Sequence, residues 1–405
     1  MKVEIRPSAL IGRVEAPPSK SMAHRLLICA GLAKGNSRIQ GISDSEDMLA
    51  TLDLLYGLGA SFQKDGNRVQ LCGIDPKNAK QHTALSCREC GSTLRFFLPI
   101  CLLSSEKMTL CGSERLFARS LGVYENLCRE RGLYWKQEKA SVTVQGPLCG
   151  GEFTVAGNVS SQFISGLLFA LPLCKEDSMI RILPPLESRP YIDMTIEALA
   201  RFGVVAEWGD ELTISVKGNQ AYCARELAVE GDYSNAAFFE ALRVLGHDIT
   251  VENLDPASLQ GDKIYLQYFS ELEKGAPTLS IRHCPDLGPI LIALAAAKNG
   301  ALLTDTERLR IKESDRGTAM AEELAKLGVR VEVRENEIFI PKATLSQPKE
   351  ELCGHNDHRI VMALAVLLTK IGGVINGAQA VKKSLPEFFT MLKALGSEVT
   401  LFEAE

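Results

Sequence analysis

The sequence predicts an α/β protein of two domains. Its 405 residues exceed what one ordinary core accommodates and are enough for two domains that each bury a core. A helical pattern also closes on a glycine and runs straight into a β-rich segment six times, at Leu58-Gly59, Arg131-Gly132, Phe202-Gly203, Leu245-Gly246, Leu327-Gly328 and Leu395-Gly396. The glycine reads as the residue just past a helix end, where the left-handed conformation is needed, and alternating residues such as Val329, Val331 and Val333 then predict a half-buried strand. One unit per roughly 67 residues is too long for a solenoid repeat and suits a supersecondary unit, so three units per domain is the economical arrangement.

Composition limits what such a protein does. Hydrophobic residues at 46% and charged residues at 23% are ordinary for a globular chain. The N-terminus Met1–Pro7 has no signal-peptide core, and the apolar runs 96–103 and 360–368 are too short to span a bilayer, which predicts a cytoplasmic protein without a membrane partner. A net charge of −5 argues against nucleic-acid binding, so any anion site has to be local. The 12 cysteines are scattered through apolar runs and read as reduced core thiols. Cys87-Arg-Glu-Cys90 has C-x-x-C spacing, yet no second Cys or His pair stands at zinc-finger distance, so no metal is expected.

Taken in order, the segments that open helices share one grammar. Pro17-Pro-Ser-Lys-Ser-Met-Ala-His-Arg25 precedes the apolar run 26–32, with Ser19 or Ser21 as cap and Lys20 and Arg25 near the helix start. Cys90-Gly-Ser-Thr-Leu-Arg95 follows, with Gly91 permitting close backbone approach, Ser92 and Thr93 as caps and Arg95 in the first turn. Arg119 comes after a short strand. Gly157-Asn-Val-Ser-Ser-Gln162 presents two hydroxyls and an amide ahead of the apolar run 163–171, and Ser188-Arg-Pro-Tyr-Ile-Asp193 opens the next helix.

The chain begins its second half near Glu230. There Asp286 stands just before the apolar run 290–297, either as a plain cap or as a functional acid. Arg308-Leu-Arg-Ile-Lys-Glu-Ser-Asp-Arg316 then crowds four cations and two carboxylates into nine residues, with Ser314 or Asp315 as cap for the helix through Leu324. A solvated, salt-bridged helix start accounts for this stretch alone as well as an anion site does. Asn356-Asp-His-Arg359 and Val381-Lys-Lys-Ser-Leu-Pro386 precede the last two helices. Cations at so many starts (Lys20, Arg25, Arg95, Lys312, Arg316, Arg359, Lys383) point to a polyanion cleft if those starts converge.

With these motifs in this order, Ser19-Lys-Ser21, Gly157–Gln162, Ile311-Lys-Glu-Ser-Asp-Arg316, Asn356-Asp-His-Arg359 and Lys383-Ser-Leu-Pro386, the chain resembles the 5-enolpyruvylshikimate-3-phosphate synthase family over essentially its whole length. The resemblance implies a two-domain inside-out α/β barrel of six βαβαββ units, three per domain. It also implies that residues 1–18 join 230–405 in one domain while 19–229 form the other, with a hinge where the chain crosses. It implies transfer of the enolpyruvyl group of phosphoenolpyruvate to shikimate 3-phosphate in aromatic amino acid biosynthesis, by a monomer that needs no metal or cofactor.

Carried over by motif, Lys20, Ser21, Arg25, Ser160, Ser161 and Gln162 would hold shikimate 3-phosphate, with Ser188, Tyr191, Asp286 and Lys312 completing that set. Phosphoenolpyruvate would fall to Lys20, Gly91, Arg119, Gln162, Arg316, Arg359 and Lys383, since arginine forks suit carboxylate and phosphate. Asp286 would take the acceptor's hydroxyl proton, and Glu313 with Lys20 would move protons at C3 and at the leaving phosphate. Arg308 and Glu89 depart from the family pattern and are left out of the site. The related UDP-N-acetylglucosamine enolpyruvyl transferase carries a loop cysteine five residues before the arginine matching Arg119, where this chain has Glu114. A non-catalytic anion-binding protein of the same fold is the reading from another class, and it gives no reason for Asp286 and Glu313 beside the cations.

Overall fold

A computed structural model describes residues 1–403. The chain divides into two compact units, one made of Met1–Ser19 with the chain from Gly231 on, the other of Lys20–Glu230.

In the unit Lys20–Glu230, the helices Lys20–Leu32, Gly91–Cys101 and Ser161–Ala170 form the interior. Every residue of the second except Ser92, and of the third except Gln162, is buried, as their unbroken apolar sequences require. Gly166 lets the last two approach: a Cβ there would lie 2.2 Å from the Tyr124 hydroxyl and 2.5 Å from the Arg95 carbonyl oxygen. The Tyr124 hydroxyl instead sits 2.8 Å from that carbonyl and 3.0 Å from that of Phe163. Amphipathic helices Glu46–Gly57, Gly122–Glu130 and Arg189–Arg201 bury one face each.

Three four-stranded sheets lie outside them, and all have one topology. In the sheet Gly151–Ala156, Ser178–Leu183, Thr213–Val216, Ala206–Trp208, the first pair is parallel and the rest antiparallel. Leu85–Ser86 begins the second such sheet. The third takes its first strand, Glu226–Ala228, from the far end of the unit. Exposed and buried residues alternate, as in eBeBe along Arg68–Cys72, because only one face meets the helices.

The other unit repeats the plan around helices Tyr233–Val244, Gly288–Ala297 and His358–Ile371. The sheet of Leu352–Cys353 and Gly373–Asn376 is completed by Lys2–Arg6, which lies between Gly373–Asn376 and Glu398–Phe402. The unit around Tyr233–Val244 keeps its parallel pair, Ile11–Glu15 with Asp248–Glu252, and among the described residues that sheet has no further strands. Where the chain leaves and re-enters, Pro18 bridges Gly231.

All six helix-closing glycines have positive φ, from 66° at Gly132 to 104° at Gly59. The strand expected through Val329, Val331 and Val333 is shorter than its alternation suggested: only Glu332–Val333 pairs, and both residues are exposed. The Val329 amide is held by the Leu324 carbonyl in closing the helix, 2.9 Å away, so pairing starts late. Among the described residues no helix is long and apolar enough to cross a membrane.

Candidate active site

In the unit Lys20–Glu230 the cations at the helix starts are met mostly by neutral oxygens. Arg25 is 2% exposed. Its Nε donates to the Thr195 hydroxyl at 2.9 Å, Nη1 to the Ser21 carbonyl at 2.6 Å and Nη2 to the Tyr191 carbonyl at 2.8 Å. Burial lowers its guanidinium to about 10. Ser21, Arg25 and Tyr191 are thus tied directly together. Lys20 opens its helix and reaches the Asp47 carboxylate at 2.8 Å.

Helix Gly91–Cys101 is capped by the Cys90 sulfur, which accepts from the Thr93 amide, so Ser92 and Thr93 lie inside the helix and are not its caps. A Cβ on Gly91 would stand 2.8 Å from Nη1 of half-buried Arg119, so the bare glycine leaves that guanidinium its place. Arg95 donates to Gln162 at 2.8 Å, and Gln162 donates to the Ser92 hydroxyl at 2.8 Å. Ser160 caps the next helix by accepting from the Gln162 amide, and Ser161 is buried beside it. Ser188 is buried at φ 55°, a left-handed conformation rare for serine, and starts the helix that carries Tyr191.

The other unit gathers its predicted residues more tightly and surrounds them with carboxylates. Arg316, 1% exposed, meets Asp357 through Nε at 2.9 Å, Asp286 through Nη1 at 2.8 Å and Glu313 through Nη2 at 2.7 Å. Asp286 is also 3.2 Å from Lys312 and 3.4 Å from Arg359. Lys383 donates to the carbonyl of Asn356, a residue at φ 53°, at 2.7 Å. Of the two possible caps for helix Arg316–Lys326, Asp315 is the one, accepting from Thr318, while the Ser314 hydroxyl donates to Asp357. Close packing of Gly288 on Leu309, where a Cβ would come within 2.9 Å, brings the turn Glu307–Ile311 against the turn Pro285–Leu287 and so Lys312 against Asp286.

Burial works to raise the Asp286 carboxyl, but Arg359, Lys312 and Arg316 together hold it well below the ordinary range. Asp357 is depressed in the same way, its burial outweighed mainly by Arg316. Burial brings Lys312 down to about 8 despite Asp286. Asp262 goes the other way, raised to about 6 by burial and then by the charge of Asp286, with Arg359 and the Ser234 hydroxyl opposing. Asp262 is buried and bonded to that hydroxyl.

Four of these residues were absent from the sequence-derived set. Asp357 lies inside the Asn356–Arg359 motif, and its place one residue before an apolar helix was a readable capping signal. Arg95 was noted but not assigned. Asp47 and Asp262 carry no local pattern that marks them. Arg308, set aside in the sequence, is 7% exposed and its charge helps lower Lys312. In the unit that holds Asp286, the arrangement sets a low-pKa carboxylate among cations that an anion would engage.

Known proteins resemble the chain over nearly its whole length. The family profile for EPSP synthase (3-phosphoshikimate 1-carboxyvinyltransferase) matches residues 5–392. A Clostridium kluyveri protein named 3-phosphoshikimate 1-carboxyvinyltransferase is 39% identical over 423 residues, covering 98% of each chain. A Clostridium perfringens protein of the same name is 40% identical over 417 residues, again covering 98% of each. The fold is similar to that of an EPSP synthase from Acinetobacter baumannii, with TM-score 0.78 at 23% identity over 99% of this chain and 100% of that one. It is also similar to the enolpyruvyl transferase NikO from Streptomyces tendae, with TM-score 0.79 at 15% identity over 100% and 99% of the two chains.

Proposed function

The chain belongs to the EPSP synthase (3-phosphoshikimate 1-carboxyvinyltransferase) family, and from that membership we propose how its own residues divide the reaction. The enzyme transfers the enolpyruvyl group of phosphoenolpyruvate to the 5-hydroxyl of shikimate 3-phosphate and releases phosphate, through a tetrahedral intermediate. The hydroxyl attacks C2 while C3 gains a proton. Phosphate then leaves as C3 gives a proton up.

Shikimate 3-phosphate falls to Lys20, Ser21, Arg25, Ser160, Ser161, Gln162, Ser188, Tyr191, Asp286 and Lys312. Phosphoenolpyruvate falls to Lys20, Gly91, Arg119, Gln162, Arg316, Arg359 and Lys383. The observation that carries these roles is Asp286 held by three cations at 2.8, 3.2 and 3.4 Å. Those cations make Asp286 a weak base. Anionic substrates engaging the same cations weaken their hold, so the carboxylate gains basicity when there is a hydroxyl to deprotonate. Glu313, 2.7 Å from Arg316, moves the C3 proton, and Lys20 serves the leaving phosphate. The protein works as a cytoplasmic monomer, and light scattering during gel filtration checks the oligomeric part.

The deciding experiment is phosphate release from phosphoenolpyruvate with shikimate 3-phosphate in one reaction and UDP-N-acetylglucosamine in another. Release with the first alone is expected. Release with the second alone overturns the acceptor, and release with neither overturns the enzyme reading.

A further inference from the structure

At the start of helix Gly91–Cys101 lies a cluster whose Asp47 carboxylate pairs with Lys20, a residue assigned to the reaction. One donor atom each from His24, Asp47 and Cys90 lies within 4.8 Å of the other two, and His24 and Cys90 are buried. His24 Nε2 and Cys90 Sγ are 3.8 Å apart. Tetrahedral coordination with a metal–sulfur distance of about 2.3 Å and a metal–nitrogen distance of about 2.0–2.1 Å sets two such donors roughly 3.5 Å apart, so little movement is needed.

The surrounding groups already suit coordination. His24 Nδ1 is 2.8 Å from the Thr51 hydroxyl, which with Nδ1 protonated orients the ring and leaves the Nε2 lone pair toward the sulfur. The sulfur accepts from the Thr93 hydroxyl at 3.1 Å and from its amide at 3.4 Å, which offsets part of the upward push that burial and then Asp47 give the thiol, to about 12. The metal's own charge has to supply the rest of the drive to a thiolate. Thr93 and Thr51 are themselves bonded at 2.9 Å, so both donors share one buried support. Burial, then Lys20 and Arg25, keep the His24 imidazole neutral, the form that ligates.

We propose that His24, Asp47 and Cys90 form a binding site for a thiophilic divalent cation such as Zn2+, and that filling it draws Asp47 away from Lys20 and opposes turnover. Nitrogen, oxygen and sulfur supply three of four tetrahedral positions, and water takes the fourth. Cys90 gives its thiol proton to water as the metal–sulfur bond forms, so binding releases a proton and tightens as pH rises. The Lys20 ammonium, 2.8 Å from Asp47, loses a partner that positions it when the metal takes that carboxylate, which is why a filled site slows turnover. Cys90 thereby links the bare backbone at Gly91 to the supply of soft metal ions.

Zn2+ binding to the full chain without substrates, followed by calorimetry, tests the site independently of the assigned reaction; only the activity arm rests on that reading. One equivalent is expected, with proton release. C90S and H24Q should each lose it while keeping the parent's melting temperature, and T51V should bind about tenfold or more weakly through the lost second hydrogen bond. Co2+ in place of Zn2+ should give thiolate-to-metal absorption that C90S and C90A both lack. Zn2+ should also slow parent turnover and leave C90S turnover unchanged. Binding and absorption that persist in C90S overturn the proposal. So does loss of the equivalent in H355N, which would put the ion at the surface group Glu322, Glu323 and His355.

Discussion

In the unit Lys20–Glu230, the helices at the site are capped by Cys90 and Ser160, and Arg25 is held by a hydroxyl and two carbonyls. In the other unit Asp232, Asp315 and Asp357 cap helices, and Arg316 is held by three carboxylates. Neutral partners satisfy hydrogen-bond geometry and leave positive charge for a ligand. Carboxylate partners cancel that charge and can themselves exchange protons. One unit is therefore suited to hold a permanent anion, and the other to hold one while moving protons around it.

The strongest test of this contrast is Asp286→Asn. Turnover should fall by roughly 10²–10⁴ because the base is lost, while KM for phosphoenolpyruvate stays level or drops because three cations lose a countercharge. Steady-state kinetics showing a raised KM with kcat intact would remove the contrast. Next, Asp357→Ala should cost about 3–5 kcal/mol in urea unfolding, since Arg316 is left as a buried charge short of its partner. Thr195→Val, which takes a neutral partner from Arg25, should cost about 1.5–3 kcal/mol. Equal losses would mean that the nature of the partner is irrelevant.

A smaller effect is expected from pH. Lys312 titrates at about 8 in the folded protein against an ordinary 10.5, so KM for shikimate 3-phosphate should rise as pH passes 8, and Lys312→Arg should move that rise upward. The sign for stability is opposite to that of a stabilised cation. The unfolded chain binds a proton that the folded chain lacks between those values, so this group's contribution is present above 10.5 and is lost as pH falls to about 8. The smallest effect is that of Gly91→Ala. The three atoms nearest its Cβ all belong to the far end of the Arg119 side chain, which can shift, so about 1 kcal/mol, roughly fivefold in phosphoenolpyruvate affinity, should be lost with little change in melting temperature.

Much of this was legible in the sequence because the cues are local. A glycine with positive φ after a leucine-rich helix marks a unit boundary wherever it falls, and a hydroxyl or carboxylate before an apolar run marks a helix start. Choosing between neighbouring candidates was harder. Cys90 caps in place of Ser92, and Asp315 in place of Ser314, because tertiary neighbours, Gln162 for Ser92 and Asp357 for Ser314, claim those hydroxyls. Asp47 and Asp262 were invisible for a different reason. Their roles come from residues 27 and 28 positions away, Lys20 and Ser234, which no window of local pattern spans.

The strand Lys2–Arg6 lies between two strands near the other end of the chain, Gly373–Asn376 and Glu398–Phe402. On a ribosome this makes order of birth and order of folding disagree. The whole Lys20–Glu230 segment emerges and can close while the first strand still lacks either neighbour. At about 5–20 residues per second, that strand waits roughly 20–80 s for its last partner, so its exposed edge is the part of the nascent chain most in need of a chaperone.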